Sequence, residues 1–192
     1  LGRRSFQTAL ALSTLSGEES LRVAGGLLEV DELPAALQSL VLAKAEGNPF
    51  FIEELVRSLQ EQGVVRRDGE SIVVAAGLDR VRVPDTVEEV ILDRAHRLDA
   101  GLSHVLDVAA VIGAHVPLGL LRAVTGRPES ALRRDLIKLQ AAEFLRESRV
   151  FPEIEYSFKH ALTQDVTYAR VPPDTRRALH ARITAAIEEL YR

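Results

Sequence analysis

The chain has 192 residues and a formal net charge of −4; 46% of its residues are hydrophobic, 27% are charged and none is cysteine. This composition is typical of a soluble globular protein, and the length allows one domain or two small ones. The lack of cysteine excludes disulfides, cysteine-based metal sites and cysteine nucleophiles. The acidic balance attracts neither nucleic acid nor acidic membranes, and no apolar run approaches the ~20 residues of a membrane span.

The first part of the chain alternates helix signals with turn signals. An apolar run at residues 6–12 predicts a short strand, and Arg3 and Arg4 before it are expected to be solvated. Ser16 and Glu19 have the spacing of a capping box, which predicts a helix at residues 17–30. A second helix is expected at residues 34–46. Methionine is absent and the chain begins at Leu1, so we expect a piece of a longer protein.

The sequence Gly47-Asn48-Pro49 separates the second predicted helix from a third. Gly47 and Asn48 are expected to form a left-handed turn, with Asn48 as the N-cap and Pro49 opening a helix that ends at Gly63. Helical spacing directs Phe51, Leu55 and Leu59 to a core, and Glu53, Glu54 and Arg57 to solvent. Taken alone, such a turn indicates a helix–turn–helix corner.

Residues 64–74 carry the clearest β signal, because Asp68-Gly69 lies between β-branched residues and favours a tight hairpin. A linker is expected at residues 76–84. Further helices are predicted at residues 86–98, 102–112, 117–124, 128–142, 160–169 and 174–191, and a second hairpin at residues 144–158 with a turn near Pro152. In the last helix, the predicted apolar stripe contains Leu179, Ile183, Ile187 and Leu190.

The sequence also shows an internal echo. Residues 55–74 and 136–158 both combine a leucine-rich helix, a short joint and a charged hairpin. One echo is too few for a solenoid repeat. The order of three helices followed by a hairpin indicates a winged helix.

Several patterns that would carry catalysis or metal binding are missing from the sequence. No phosphate loop of the form Gly-x-x-x-x-Gly-Lys-Ser/Thr occurs, and no serine has a nucleophile-elbow context. His96, His104 and His115 have no ligand spacing. We therefore expect no catalytic residue, no metal site and no autonomous catalysis.

The stretch around Pro49 resembles the Gly-x-Pro region of STAND-type signalling ATPases, the NB-ARC and MalT-like relatives of AAA+ proteins. The segment Phe158-Lys159-His160-Ala161-Leu162 resembles a second conserved segment of the same family. The resemblance implies that Asn48, Pro49, Phe50 and His160 lie at the nucleotide, with Pro49 on the adenine and His160 on the β-phosphate of ADP. Asp165 is displaced from the aspartate of the family motif, so no role is transferred to it.

The resemblance implies a mainly α fold: a helical lid followed by a winged-helix domain, with two short β-hairpins. Residues 1–16 would end a nucleotide-binding core, 17–80 form the lid with its hairpin, 81–170 form the winged helix and 171–192 begin a tetratricopeptide-like region. The expected function is that of a cytoplasmic regulatory fragment. It would close over ADP or ATP, with Mg²⁺, held by an upstream phosphate-loop domain, while the chain alone binds neither nucleotide.

Two other functions remain open. Arg127, Arg133, Arg134 and Lys138 make the helix at residues 128–142 locally basic, and Arg66 and Arg67 decorate a wing, as in a winged-helix DNA-binding regulator. The acidic net charge disfavours DNA, because neutralising the phosphate backbone dominates DNA affinity. The third hypothesis is a scaffold for a protein partner. In the resembled family, the output domain is a nucleotide cyclase or a transcription regulator, and the sequence does not choose between them.

Overall fold

The computed structural model describes residues 11–69, 71–75 and 83–191. It confirms a mainly α fold with two small antiparallel sheets. The chain divides into two compact units, Leu1–Val87 and Glu88–Arg192. Arg3, Arg4 and most of the strand predicted at residues 6–12 lie outside the described residues, as do residues 76–82 of the predicted linker.

The first unit is a three-helix bundle followed by a hairpin. Helix α1 packs against both α2 and α3, and α3 contacts the first hairpin strand. The elements are α1 (Gly17–Leu28), α2 (Ala35–Ala45), α3 (Pro49–Glu61), β1 (Val65–Asp68) and β2 (Ser71–Val74).

Local signals set the ends of these elements. The capping box is confirmed, because the Glu19 N–H donates to Ser16 Oγ at 3.2 Å and the Ser16 N–H donates to Glu19 Oε2 at 2.8 Å. The predicted hairpin is also confirmed: β1 and β2 are antiparallel, Asp68 pairs with Ser71 and Gly69 has a φ of +62°. Glycine adopts such a positive φ without steric cost.

Helix α3 differs from the prediction on one face. Glu53, Glu54 and Arg57 were expected on the solvent side, but Glu54 is only 2% exposed and the other two are half-buried. The expectation was wrong because α3 also carries Ile52 and Val56, which are buried as well. The single apolar stripe used for the prediction omitted this second buried face.

The second unit is built around the buried helix α5. A core of aliphatic and aromatic side chains joins α5 to the helices and to the three-stranded sheet around it. The elements are α4 (Val87–His96), α5 (Ala100–Ile112), β3 (Val116–Pro117), α6 (Leu118–Thr125), α7 (Glu129–Ala141), β4 (Leu145–Arg149), β5 (Glu155–Phe158), α8 (Ala161–Arg170) and α9 (Pro173–Leu190), with Val87 itself in the first unit.

The sheet of the second unit has the order β3-β5-β4 and is antiparallel throughout. The run α5, β3, α6, α7, β4, β5 is the order of elements in a winged helix. Strand β3 was not predicted, since two residues, Val116 and Pro117, are too few to show the period-two pattern of a strand.

Helix α9 packs against α5 and α6. Leu179 and Ile183 are buried as expected, but Ile187 and Leu190 are each 43% exposed. The buried face of α9 continues from Ile183 to Ala186.

The internal echo is present as a repeated joint between helix and hairpin. In the first unit, Gly63 has a φ of +67° and the Val64 N–H donates to the Leu59 carbonyl at 2.9 Å. In the second, Glu143 has a φ of +55° and the Phe144 N–H donates to the Leu139 carbonyl at 2.9 Å. Both helices therefore end in the same left-handed cap before a strand.

Across the described ranges, none of the helices combines the length and the apolar character needed to cross a membrane.

Candidate functional site

The turn between α2 and α3 carries three of the predicted site residues, Asn48, Pro49 and Phe50. Its left-handed residues are Glu46, with a φ of +48°, and Gly47, with a φ of +76°. Asn48 was expected to share the left-handed turn, but its φ is −83°. That part of the prediction was wrong because an N-cap residue takes an extended conformation.

Asn48 is the N-cap of α3, as predicted. Its Oδ1 accepts hydrogen bonds from the Phe50 N–H at 3.0 Å and from the Phe51 N–H at 3.3 Å. These bonds satisfy two of the backbone donors that a helix start leaves open. The side-chain oxygen of Asn48 is thus engaged inside the protein, and the residue acts by fixing the start of α3.

The segment before α1 lies against this turn. The Leu15 N–H donates to the Gly47 carbonyl at 2.9 Å. A Cβ atom built on Gly47 would lie 2.3 Å from the Leu15 carbonyl oxygen, which is closer than real Cβ contacts. Gly47 is therefore required both by its positive φ and by the close approach of Leu15.

Pro49 occupies the first position of α3 and is exposed, whereas Phe50 is half-buried. Proline suits this position because its fixed φ matches the helix and its missing N–H is not needed there. The exposed ring contributes nothing to a core. It is a rigid apolar surface held in place by Gly47 and Asn48.

His160 lies at the junction of β5 and α8, as the sequence predicted. It is the N-cap residue of α8, has an extended backbone with a φ of −130° and makes no side-chain cap to the helix. The neighbouring Lys159 N–H donates to the Phe144 carbonyl at 3.1 Å, and the Lys159 side chain pairs with Glu143. These contacts fix the backbone immediately before His160.

The four predicted site residues thus fall into two groups. Asn48, Pro49 and Phe50 share one helix start in the first unit, and His160 belongs to the second unit. Each group lies at the N-terminus of a helix, where backbone N–H groups and the helix dipole favour an anion.

Four basic residues just before and within α7 raised the possibility of DNA binding, and two of them, Arg127 and Arg133, form ion pairs within the unit. Arg127 Nη2 lies 2.8 Å from Asp135 Oδ2, and Arg133 Nη2 lies 2.9 Å from Glu129 Oε1. Arg134 and Lys138 are exposed, and neither forms an ion pair with another residue in the described part of the chain. On the first hairpin, Arg67 pairs with Glu29.

Sequence reasoning missed two arginines of the second unit that donate to backbone carbonyls, Arg94 and Arg170. Arg94 is buried in α4, where its Nη2 donates to the Ala142 carbonyl at 2.7 Å and its guanidinium carbon lies 4.8 Å from the Phe144 ring centroid. One signal was present: Arg94 follows the buried Val90 by four residues, so the two share one helix face.

Arg170 was missed in the same way. It lies at the C-terminal end of α8, and its guanidinium donates to the Ala95 carbonyl at 3.1 Å and to Ser103 Oγ at 3.0 Å. It also lies 2.6 Å from Asp107 Oδ1. No local pattern identifies these partners, because they are more than sixty residues earlier in the chain.

Within the described ranges, no three histidine or acidic side chains are grouped so that they could hold a metal ion.

Comparison with known proteins gives one family match. Residues 16–69 match DUF8739, which is described as a domain of unknown function. The match runs from α1 through β1 and includes the turn at Gly47-Asn48-Pro49, but it covers well under half of the chain. No curated protein matches the chain significantly.

Proposed function

We propose that this chain is the lid and winged-helix part of a nucleotide-switched signalling ATPase of the STAND type. It closes over ADP or ATP held by a phosphate-loop domain upstream in the same polypeptide. Pro49 contacts the adenine and His160 contacts the phosphates. The chain itself carries no catalytic group and acts in the cytoplasm, where both nucleotides are available.

The observation that carries this proposal is the exposed Pro49 ring on a turn fixed from several sides. Gly47 is held against Leu15, and Asn48 caps the helix that Pro49 opens. A rigid apolar ring with no role in a core is suited to lie against a planar base. The residues present fit the adenine end of a nucleotide.

His160 supports the phosphate end. An imidazole at a helix N-terminus can donate a hydrogen bond to a phosphate oxygen, and the dipole of α8 favours negative charge there. The sequence contains no phosphate loop, so the triphosphate cradle and its Mg²⁺ belong to the upstream domain in this proposal. The nucleotide supplies the charge difference between ADP and ATP that a switch needs.

A switch of this kind requires contacts that differ between two states. In the closed state Pro49 and His160 contact ADP, and exchange for ATP changes the phosphate contact. The downstream helical region then transmits the change to an output domain. A nucleotide cyclase and a transcription regulator both remain compatible outputs.

The test is calorimetric titration of ADP and ATP into the chain joined to its upstream phosphate-loop domain. Pro49→Ala and His160→Ala should each weaken ADP binding about fivefold to tenfold, which corresponds to the loss of one contact of about 1 kcal/mol. ADP affinity that is indifferent to both substitutions would overturn the proposal.

Two control variants separate ligand contacts from helix starts. Pro128 occupies the N-cap position of α7 and is also exposed, so Pro128→Ala tests the loss of an exposed helix-start proline without the proposed adenine contact. His96→Ala removes an exposed histidine of α4. Both controls should leave ADP affinity unchanged.

Binding measurements on the same parent protein and variants also test the two alternative functions. A DNA-binding regulator would bind duplex DNA with an affinity that falls steeply with salt and depends on Arg134 and Lys138. A scaffold would bind neither nucleotide nor DNA, but would hold a partner domain.

A further inference from the structure

The first turn of α6 is capped by a distant loop. Pro117, its N-cap residue, makes no side-chain cap. Instead, the Leu118 N–H donates to the Ile154 carbonyl at 2.9 Å and the Gly119 N–H donates to Glu153 Oε1 at 2.9 Å. Both acceptors belong to the wing loop, residues 150–154 between β4 and β5. A carboxylate at this position also complements the helix dipole.

Gly119 makes this contact possible. A Cβ atom at Gly119 would lie 2.6 Å from Glu153 Oε1, so any larger residue displaces the carboxylate. The atom in the way is the end of a flexible side chain, and alanine suits a helix better than glycine does. A Gly119→Ala substitution therefore breaks the contact while leaving α6 able to form.

The second oxygen of the same carboxylate reaches α9. The Tyr191 hydroxyl donates to Glu153 Oε2 at 3.2 Å, and Tyr191 is the C-cap residue of α9. Partial burial of Tyr191, which remains 54% exposed, raises the pKa of its hydroxyl, and the negative charge of Glu153 raises this pKa further. We call Gly119, Glu153 and Tyr191 the Glu153 bridge.

We propose that the Glu153 bridge couples the C-terminal end of α9 to the wing loop. A conformational change at either element then changes the stability of the other. Such coupling is reciprocal by thermodynamic necessity. The wing loop also carries Val150 and Phe151, which are 67% and 86% exposed. The bridge therefore sets the mobility of the wing loop that carries Val150 and Phe151. This inference does not depend on the proposed nucleotide contact.

The first test removes one hydroxyl from the 192-residue chain. Tyr191→Phe should speed hydrogen exchange of the Gly119 amide about threefold to tenfold, because Glu153 loses the hydrogen bond from the Tyr191 hydroxyl. The measurement is amide exchange followed by NMR. An unchanged exchange rate at Gly119 would overturn the coupling.

The second test runs in the opposite direction. Gly119→Ala displaces the carboxylate, so the pKa of Tyr191 should fall towards its ordinary value in a site-resolved NMR titration of the three tyrosines. Gly26→Ala is the matched control, because a Cβ at Gly26 meets no atom within 4 Å. Exchange of the wing-loop amides should also increase in Gly119→Ala alone. If Tyr191 titrates identically in both variants, the bridge does not join the two elements.

Discussion

Gly47 lies where α2, α3 and the segment before α1 meet. Its φ of +76° and its close approach to the Leu15 carbonyl are independent reasons for glycine at this position. The proposed adenine contact depends on the positive φ of Gly47 and on its close approach to Leu15, because both features fix the backbone two residues before Pro49. At the residue scale, the position of Pro49 is set by the backbone geometry of Gly47.

We expect Gly47→Ala to destabilise the chain by at least about 2 kcal/mol, since alanine brings both a left-handed strain and a clash with Leu15. The free energy of unfolding in denaturant measures this loss. Gly63→Ala is the control: Gly63 has a φ of +67° but a Cβ there would meet no atom within 4 Å. It should lose only about 1 kcal/mol, and equal losses would contradict the argument.

Glu19 gives a residue-scale prediction about pH. The Ser16 backbone N–H, and then the Ser16 side chain, lower the pKa of Glu19 below its ordinary value of 4.5. A depressed pKa in the folded state means that the stability Glu19 contributes is present above pH 4.5 and is lost as the pH falls through the folded-state pKa.

Glu19→Gln should therefore lower the free energy of unfolding at neutral pH, and the difference from the parent chain should close on acidification. Glu18→Gln is the control, because Glu18 lies in the same helical turn but takes no part in the capping box. Denaturant unfolding across this pH range measures both variants. A difference that persists in acid would contradict the capping-box interpretation.

At the scale of elements, Arg170 joins the C-terminal end of α8 to α4 and α5. Its partner Asp107 has a raised pKa because burial outweighs the attraction of Arg170. A raised folded-state pKa means that the folded protein holds the proton more tightly than the unfolded chain. The contribution of Asp107 to stability is therefore greatest below its ordinary value of 3.8 and declines as the pH rises through the folded-state pKa.

Arg170→Met should cost about 2–3 kcal/mol at neutral pH, because Asp107 is left without its cation and the Ala95 carbonyl without its donor. It should also raise the pKa of Asp107 further, so that the decline in stability extends to higher pH. The double substitution Arg170→Met with Asp107→Asn should remove that pH dependence. Denaturant unfolding at a series of pH values measures both, and an unchanged pH profile in Arg170→Met would contradict the pairing.

The elements that the sequence predicted well are those with local signals. The capping box at Ser16, the glycine of the first hairpin and the cap at Asn48 act on neighbours within a few residues. The features that were missed depend on distant residues. Glu153 caps α6 from the wing loop, and Arg170 at the end of α8 pairs with Asp107 in α5. No window of sequence contains both partners of such contacts.

At the scale of the whole molecule, each unit contains a helix, a left-handed joint and a hairpin, as the internal echo suggested. The positions of Pro49 and His160 at helix starts could be predicted because proline and turn residues act locally. Their ligand could not be predicted from the fold, since a helix start serves structure in many proteins. The proposed function therefore depends on the nucleotide contact.

The most direct measurement is photolabelling of the chain joined to the upstream phosphate-loop domain that the proposal requires, using an ADP analogue with a photoreactive azide on the adenine. We predict that the label appears in the tryptic peptide spanning residues 45–57, which contains Pro49, and that excess ADP prevents the labelling. Label that ADP prevents but that is absent from this peptide would show that the adenine binds elsewhere, and would contradict the proposed role of Pro49.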